Sequence, residues 1–360
     1  MAQIRGRDAE AGSIVNALGH RLWFDASDER GRALQSRAGD LNGGSLQLWR
    51  SLVALRRWDA VLDVGTNYGE MLLGVDLGDV GAVVGFEPNP RVLPHLLRSI
   101  DESGARHRIR DVAVSDVADE QLVFAIDLVW SGMSGLAATR ADGGEHRVEE
   151  VAVRTTTIDA EVAALGEPAS VLVKVDVEGA EHAVLAGATG LLASDRPWAV
   201  MVEVLHMAAH AQADLLARFD VAALDLAEGS LARVPAMSPQ AWSALLATGW
   251  VYGQDVVLLA PGLADSLPSI VDVVERREQV LAPLGRDAAG AADAARTLEA
   301  AVAEGAAAGA ERDAARADAA TARAERDVAL ATVQALRASS SWRATRPLRA
   351  MVGALRRRRR

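Results

Sequence analysis

The chain has 360 residues, room for one large or two modest domains with a real core. Half its residues are hydrophobic but only 4% are aromatic, so alanine, valine and leucine must fill that core, and the absence of cysteine excludes disulfides and thiolate metal ligands. A net charge of -11 argues against wholesale nucleic-acid binding, no stretch reaches the ~18 apolar residues that span a bilayer, and no signal-peptide pattern opens the chain, so a cytoplasmic protein is expected.

Residues 1–58 read as a leader that packs on the following domain. Ile14, Leu18, Leu22, Trp23 and Phe24 suit a short helix or strand, Asp25 to Gly44 is polar and glycine-punctuated like a loop, and Leu46 to Trp58 has helical spacing. Covering a sheet edge is the expected role of this helix. From Ala60 to Ala260 apolar runs alternate with amphipathic segments, which predicts an α/β sheet.

Val61 to Glu70 reads as strand, turn and helix opening. Gly65 and Gly69 free the backbone to turn sharply, but their Gly-x-x-x-Gly spacing departs from the Gly-x-Gly-x-x-Gly that cradles a pyrophosphate. Asp63 just before the turn would repel a pyrophosphate and suits a cationic ligand such as S-adenosylmethionine, whose carboxylate would meet amides near the next helix start. An ordinary βα turn is the plainer reading of the same glycines. Ala82 to Glu87 is a second strand ending in an acid about twenty residues on, where a doubly wound sheet holds two ribose hydroxyls. Pro88 to Pro90 stop it, and a helix follows through Ile100.

Ile109 to Ser115 is expected as a third strand, with Asp111 and Val112 placed either beside an adenine ring or simply at a strand end. Gln121 to Val129 and Arg147 to Thr155 predict an inserted hairpin (about 121–155), whose connecting loop carries Ser134 as a substrate contact or an ordinary loop serine. Thr157 to Leu165 is a capped helix, and Val171 to Asp176 a buried strand that holds the chain's single lysine, Lys174. Asp176 then falls at the carboxyl end of a central strand, where ligands bind in open α/β sheets. Glu178 and Glu181 follow at a helix start, where acids also serve as caps. Pro197 to Val204 is the next strand, bringing Glu203 and, three residues later, His206, a base for a hydroxyl proton or a plain surface histidine. Phe219 to Leu226 and Gln254 to Ala260 close the sheet, with a helix over Ser238 to Ala247 between them.

Taken together, Asp63-x-Gly65-x-Asn67-x-Gly69, Phe86-Glu87-Pro88, Ala113-Val114-Ser115-Asp116, Lys174-Val175-Asp176-Val177-Glu178-Gly179-Ala180-Glu181 and Val202-Glu203 resemble the FkbM family of S-adenosylmethionine-dependent methyltransferases. The resemblance implies a class I methyltransferase (Rossmann-like) α/β domain over 59–262, with a seven-stranded, mostly parallel sheet and one antiparallel strand near an edge. It implies S-adenosyl-L-methionine as cofactor and methyl transfer to a hydroxyl of a sugar, glycan or natural product. Asp63, Gly65, Asn67, Gly69 and Glu70 would hold the methionine part, Glu87 the ribose, and Asp111 or Val112 the adenine. Lys174, Asp176, Glu178 and His206 would face the acceptor, helped by Ser134, Glu181 and Glu203. No metal ligand set is expected, although Asp176 and Glu178 with a sugar diol are an alternative. Thr66 stands where family members commonly have alanine.

Past Pro261 the character changes. Residues 270–337 are alanine-rich, with Ala301, Ala308, Ala315, Ala322, Ala329 and Leu336 at every seventh position, which suits a homodimeric coiled coil or a lone solvated helix. Residues 338–360 set Trp342, Leu348, Met351, Val352 and Leu355 among arginines, a pattern for a peripheral helix on an anionic inner membrane face, or a disordered basic tail. An assembly factor of surface-glycan biosynthesis, with a weak methyltransferase-like domain and a working tail, is the alternative function.

Overall fold

The structure is a computed structural model and describes residues 11–137, 147–205, 207 and 209–272. His206, residues 138–146 of the loop expected between the two hairpin strands, and everything from residue 273 through the alanine-rich stretch and basic tail lie outside the described residues. Among the described residues no helix is long and apolar enough to cross a membrane.

The leader opens as an antiparallel hairpin, β1 (Ala11–Val15) and β2 (Arg21–Asp25). The expected loop over 25–44 instead contains a helix, α1 (Glu29–Ser36), and the start of another, α2 (Gly43–Leu55). The start of α1 is set by Asp28, whose carboxylate accepts the Arg30 N–H. No apolar period announces α1, because only Gly31 and Leu34 are buried in it. In α2 the stripe Leu46, Leu48, Trp49 and Leu52 is buried, each large side chain contributing roughly 1.5–3 kcal/mol.

The body follows in βα alternation: β3 (Ala60–Val64), α3 (Glu70–Leu73), β4 (Ala82–Phe86), α4 (Leu93–Ser103) and β5 (Arg108–Arg110). The strand expected over 109–115 is divided. Its first part, β5, pairs on β4, then the chain bends at exposed Asp111 and β6 (Ala113–Val114) joins a second sheet. That sheet runs β6-β9-β7-β8, built from β7 (Gln121–Asp127), β8 (Gly135–Leu136) and β9 (Val148–Thr156). Then come α5 (Ile158–Ala164), β10 (Val171–Val175), α6 (Glu181–Ala186), α7 (Thr189–Leu192), β11 (Trp198–Glu203) and α8 (Ala209–Arg218). The chain continues through β12 (Asp220–Asp225), β13 (Ser230–Val234), α9 (Pro239–Ala247) and β14 (Asp255–Leu259).

The main sheet has eight strands, in the order β13-β12-β14-β11-β10-β3-β4-β5, rather than the expected seven. The extra strand, β13, forms a hairpin with β12 around Gly229, which takes the left-handed φ of +66° such a turn needs. Two strands run against the rest: β14, antiparallel to both β11 and β12, and β13 at the edge. Every residue of β3, β10 and β14 is buried, as a sheet covered on both faces requires. Alternate residues serve opposite cores: Leu62, Val64, Val173 and Val175 pack on one side with Ile158 of α5, and Val61, Leu172 and Met201 on the other with Trp49 of α2. The leader therefore covers a sheet face, and the carboxyl ends of β3, β4, β10 and β11 open beneath it.

Candidate active site

A cavity of about 470 Å³ lies at these strand ends. Its floor is the turn after β3. Gly65 adopts φ +82°, and a Cβ there would lie 1.8 Å from the carbonyl oxygen of Asp176, so a bare backbone is what lets the β3 and β10 loops touch. Asn67 also takes a left-handed φ, +48°, which asparagine tolerates, and Gly69, at +87°, precedes α3. Thr66 replaces the family's alanine without disturbing the turn, since its Oγ1 donates to the Asp63 carbonyl at 2.9 Å.

Behind this floor Asp63 is fully buried and its carboxylate oxygens accept no hydrogen bond. Burial pushes its carboxyl up to about 6, although Lys174 Nζ, 3.5 Å away, pulls the other way. Asp63 is not on the cavity wall; Lys174 is, and its ammonium reaches forward to Asp176 Oδ2 at 3.1 Å. Burial works against that charge, but Asp176 and Asp63 outweigh it and hold the ammonium above its ordinary range. A single lysine thus ties an acid of β3 to the acid that ends β10. Glu87, at the end of β4, lines the cavity, and its two oxygens accept the Asn67 and Asn89 N–H groups, both at 2.8 Å. Burial raises its carboxyl to about 7 despite these amides.

The other end of the cavity gathers acids. Asp176, Glu178 and Glu203 bring carboxylate oxygens within 4.8 Å of one another, a spacing that a cation can bridge. Burial, then the charge of Asp176, raises Glu178 to about 8 and raises Glu203 as well. Asp255 stands beside Glu203 in the antiparallel register of β14 on β11 and is raised to about 7 by burial, against the hydrogen bond it accepts from Ser45 at 2.5 Å.

The remaining expected residues divide. Val112 and Ser134 line the cavity, Ser134 Oγ also accepting the Asp127 N–H at 3.0 Å. Asp111 is exposed and off the wall. Glu181 is buried away from the cavity, where its Oε1 accepts the Val177 and Gly179 N–H groups at 3.2 and 3.0 Å and closes the turn into α6. Two charged wall residues that were not anticipated meet the site residues directly. One is Asp255. The other is Arg30 of α1, which donates to Asn67 Oδ1 at 2.8 Å and ion-pairs with Glu70. No local signal marks Arg30, because its place depends on where the leader folds.

No curated protein matches the sequence. Among solved structures the chain is similar to a precorrin 8W decarboxylase from Methanobacterium thermoautotrophicum, with 15% identity over 59% of this chain and 88% of that one, at a TM-score of 0.26. It is also similar to the plantazolicin methyltransferase BpumL, solved with a pentazolic desmethylPZN analog and SAH, with 10% identity over 53% of this chain and 58% of that one, at a TM-score of 0.25. Residues 63–224, from β3 to β12, match the methyltransferase FkbM domain, so the fold and cavity just described belong to a chain that carries a domain of the FkbM methyltransferase family.

Proposed function

We propose that the chain transfers a methyl group from S-adenosyl-L-methionine to a hydroxyl of a sugar, glycan or natural product. One observation carries the reading: a glycine turn and Glu87 at one end of an FkbM-domain cavity, and a lysine-tied group of acids at the other. The volume, about 470 Å³, is within the usual range for small-molecule sites, and an acidic wall suits a cationic donor.

When bound, the cofactor supplies a methyl on a positively charged sulfur, open to displacement by an oxygen nucleophile. The turn from Gly65 to Gly69 presents backbone to its methionine part with Asn67 and Glu70 alongside, Glu87 meets the ribose, and Val112 gives an apolar wall for adenine. Asp176, oriented by Lys174, accepts a hydrogen bond from the acceptor. Glu178, raised to about 8, is a strong enough base to take the hydroxyl proton near neutral pH, with His206 the other candidate for that proton. Glu203 and Ser134 border the acceptor, and Trp130 to Ser134 help to exclude water. The acids near the acceptor favour a polyhydroxyl substrate, whose donors they satisfy. In this reading the enzyme is cytoplasmic, with residues 270–337 as a dimerisation helix and 338–360 as a peripheral contact with the inner membrane face.

Titration calorimetry with S-adenosylhomocysteine tests the cofactor assignment. Wild type should bind, and Glu87→Ala should weaken binding roughly ten- to hundredfold, the worth of a lost charge-assisted hydrogen-bond pair. An unchanged affinity removes Glu87 from the site, and no binding by wild type removes the cofactor.

A further inference from the structure

The leader does more than cover the sheet. Asp28, at the start of α1, accepts the Tyr68 hydroxyl at 2.7 Å and the Ser131 N–H at 3.0 Å, so it joins the leader to both the glycine turn and the inserted sheet. Two residues on, Arg30 reaches into the cavity wall with its side chain only 12% exposed. Its guanidinium lies against the backbone of Gly132, where a Cβ would come within 2.8 Å of the Arg30 Nε. Two carriers of the site, Asn67 and Glu70, each accept one of its N–H groups, and a guanidinium has five.

Resting on the cofactor reading above, we propose that Arg30 binds the carboxylate of the cofactor's methionine part. That carboxylate has to be held inside a wall of acids, next to the turn at Asn67. Among the described residues three cations line the cavity: Arg30, Arg37 and Lys174. Lys174 is committed to Asp63 and Asp176, and Arg37 is exposed and donates to the Leu41 carbonyl. Arg30 alone adjoins the turn. The expectation that amides at the next helix start hold the carboxylate loses force, because α3 spans only Glu70–Leu73 and so short a helix has little dipole. An arginine offers planar, paired N–H groups to a carboxylate instead. The Arg30–Glu70 pair also sets a cation and an anion side by side, matching an amino acid head group that carries both signs.

Decarboxylated S-adenosylmethionine differs from the cofactor only at the group in question, so calorimetry with both ligands on the full chain isolates the contact. Wild type should prefer S-adenosylmethionine. Arg30→Gln should lose about tenfold or more of that ligand's affinity and keep its affinity for the decarboxylated one, which also shows that the variant is folded; Arg30→Lys should recover part of the loss. Gly132→Ala, by displacing the guanidinium, should lower the same preference. Equal loss for both ligands would mean that Arg30 only props the turn, and no loss would return the carboxylate to the helix-start amides; either result overturns the proposal. If wild type binds neither ligand, the cofactor reading itself fails and takes this inference with it.

Discussion

Glu178 has a left-handed backbone, φ +57°, held by the contact between the β3 and β10 loops, so its carboxyl is presented rather than free to choose its place. Burial first, and then the charges of Asp176 and Glu181, raise it to about 8. A base works in its ionised form, so the methylation rate should climb with pH through about 8, and Glu178→Gln should flatten that climb and cut the rate about a hundredfold or more. A pH–rate profile of both proteins checks this; an unshifted profile in the variant passes the proton to His206. At this scale the placement of Gly65, Asn67, Glu87 and Asp176 at the cavity was legible, because each lies just past the end of a strand and strand ends are local events, whereas Asp63, inside β3, lies off the wall. Arg30 and Asp255 were not, since nothing beside them in the chain says which cavity they will meet.

Short elements line the cavity, and the start of α1 is set by a single carboxylate. Asp28 is 5% exposed and accepts from Arg30 N, Tyr68 Oη and Ser131 N. Asp28→Ala removes a helix cap, worth about 1 kcal/mol, and leaves two buried donors without an acceptor, each costing about 1–3 kcal/mol, so a total loss of about 3 kcal/mol or more is expected in urea denaturation. A loss under half a kcal/mol would show that the leader folds independently of the cap. Elements with strong apolar runs, such as β3, β10 and β11, were readable because burial on both faces leaves each of them a single charged residue, Asp63, Lys174 and Glu203, in an otherwise apolar run. Those with weak patterns were misread: α1 as loop, β13 as connection, and β5 with β6 as one strand. Each is too short, at two to eight residues, for a period to show.

At the scale of the whole molecule, buried acids gather around one cavity, and this sets the response to pH. Asp63 is raised to about 6, Glu87 and Asp255 to about 7 and Glu178 to about 8, in each case by burial first. A carboxyl whose folded pKa is raised favours the folded state while it is protonated; that stability is complete below the unfolded pKa of about 4 and is lost as pH rises through the folded value. The unliganded protein should therefore melt at progressively lower temperature between about pH 5 and pH 8, and S-adenosylmethionine, a cation, should restore more at the upper end. Differential scanning fluorimetry across that range, with and without ligand, is the measurement; a melting temperature that rises towards pH 8 without ligand would show that the acids are not packed together as described. By itself the sequence determined the βα alternation, the glycine turn and the family motifs, since each is written in consecutive residues. Only the tertiary structure decided that a leader arginine and an acid of the last strand join one wall, and that an eighth strand extends the sheet. Those are meetings of residues far apart in the chain, settled by which faces must be buried together.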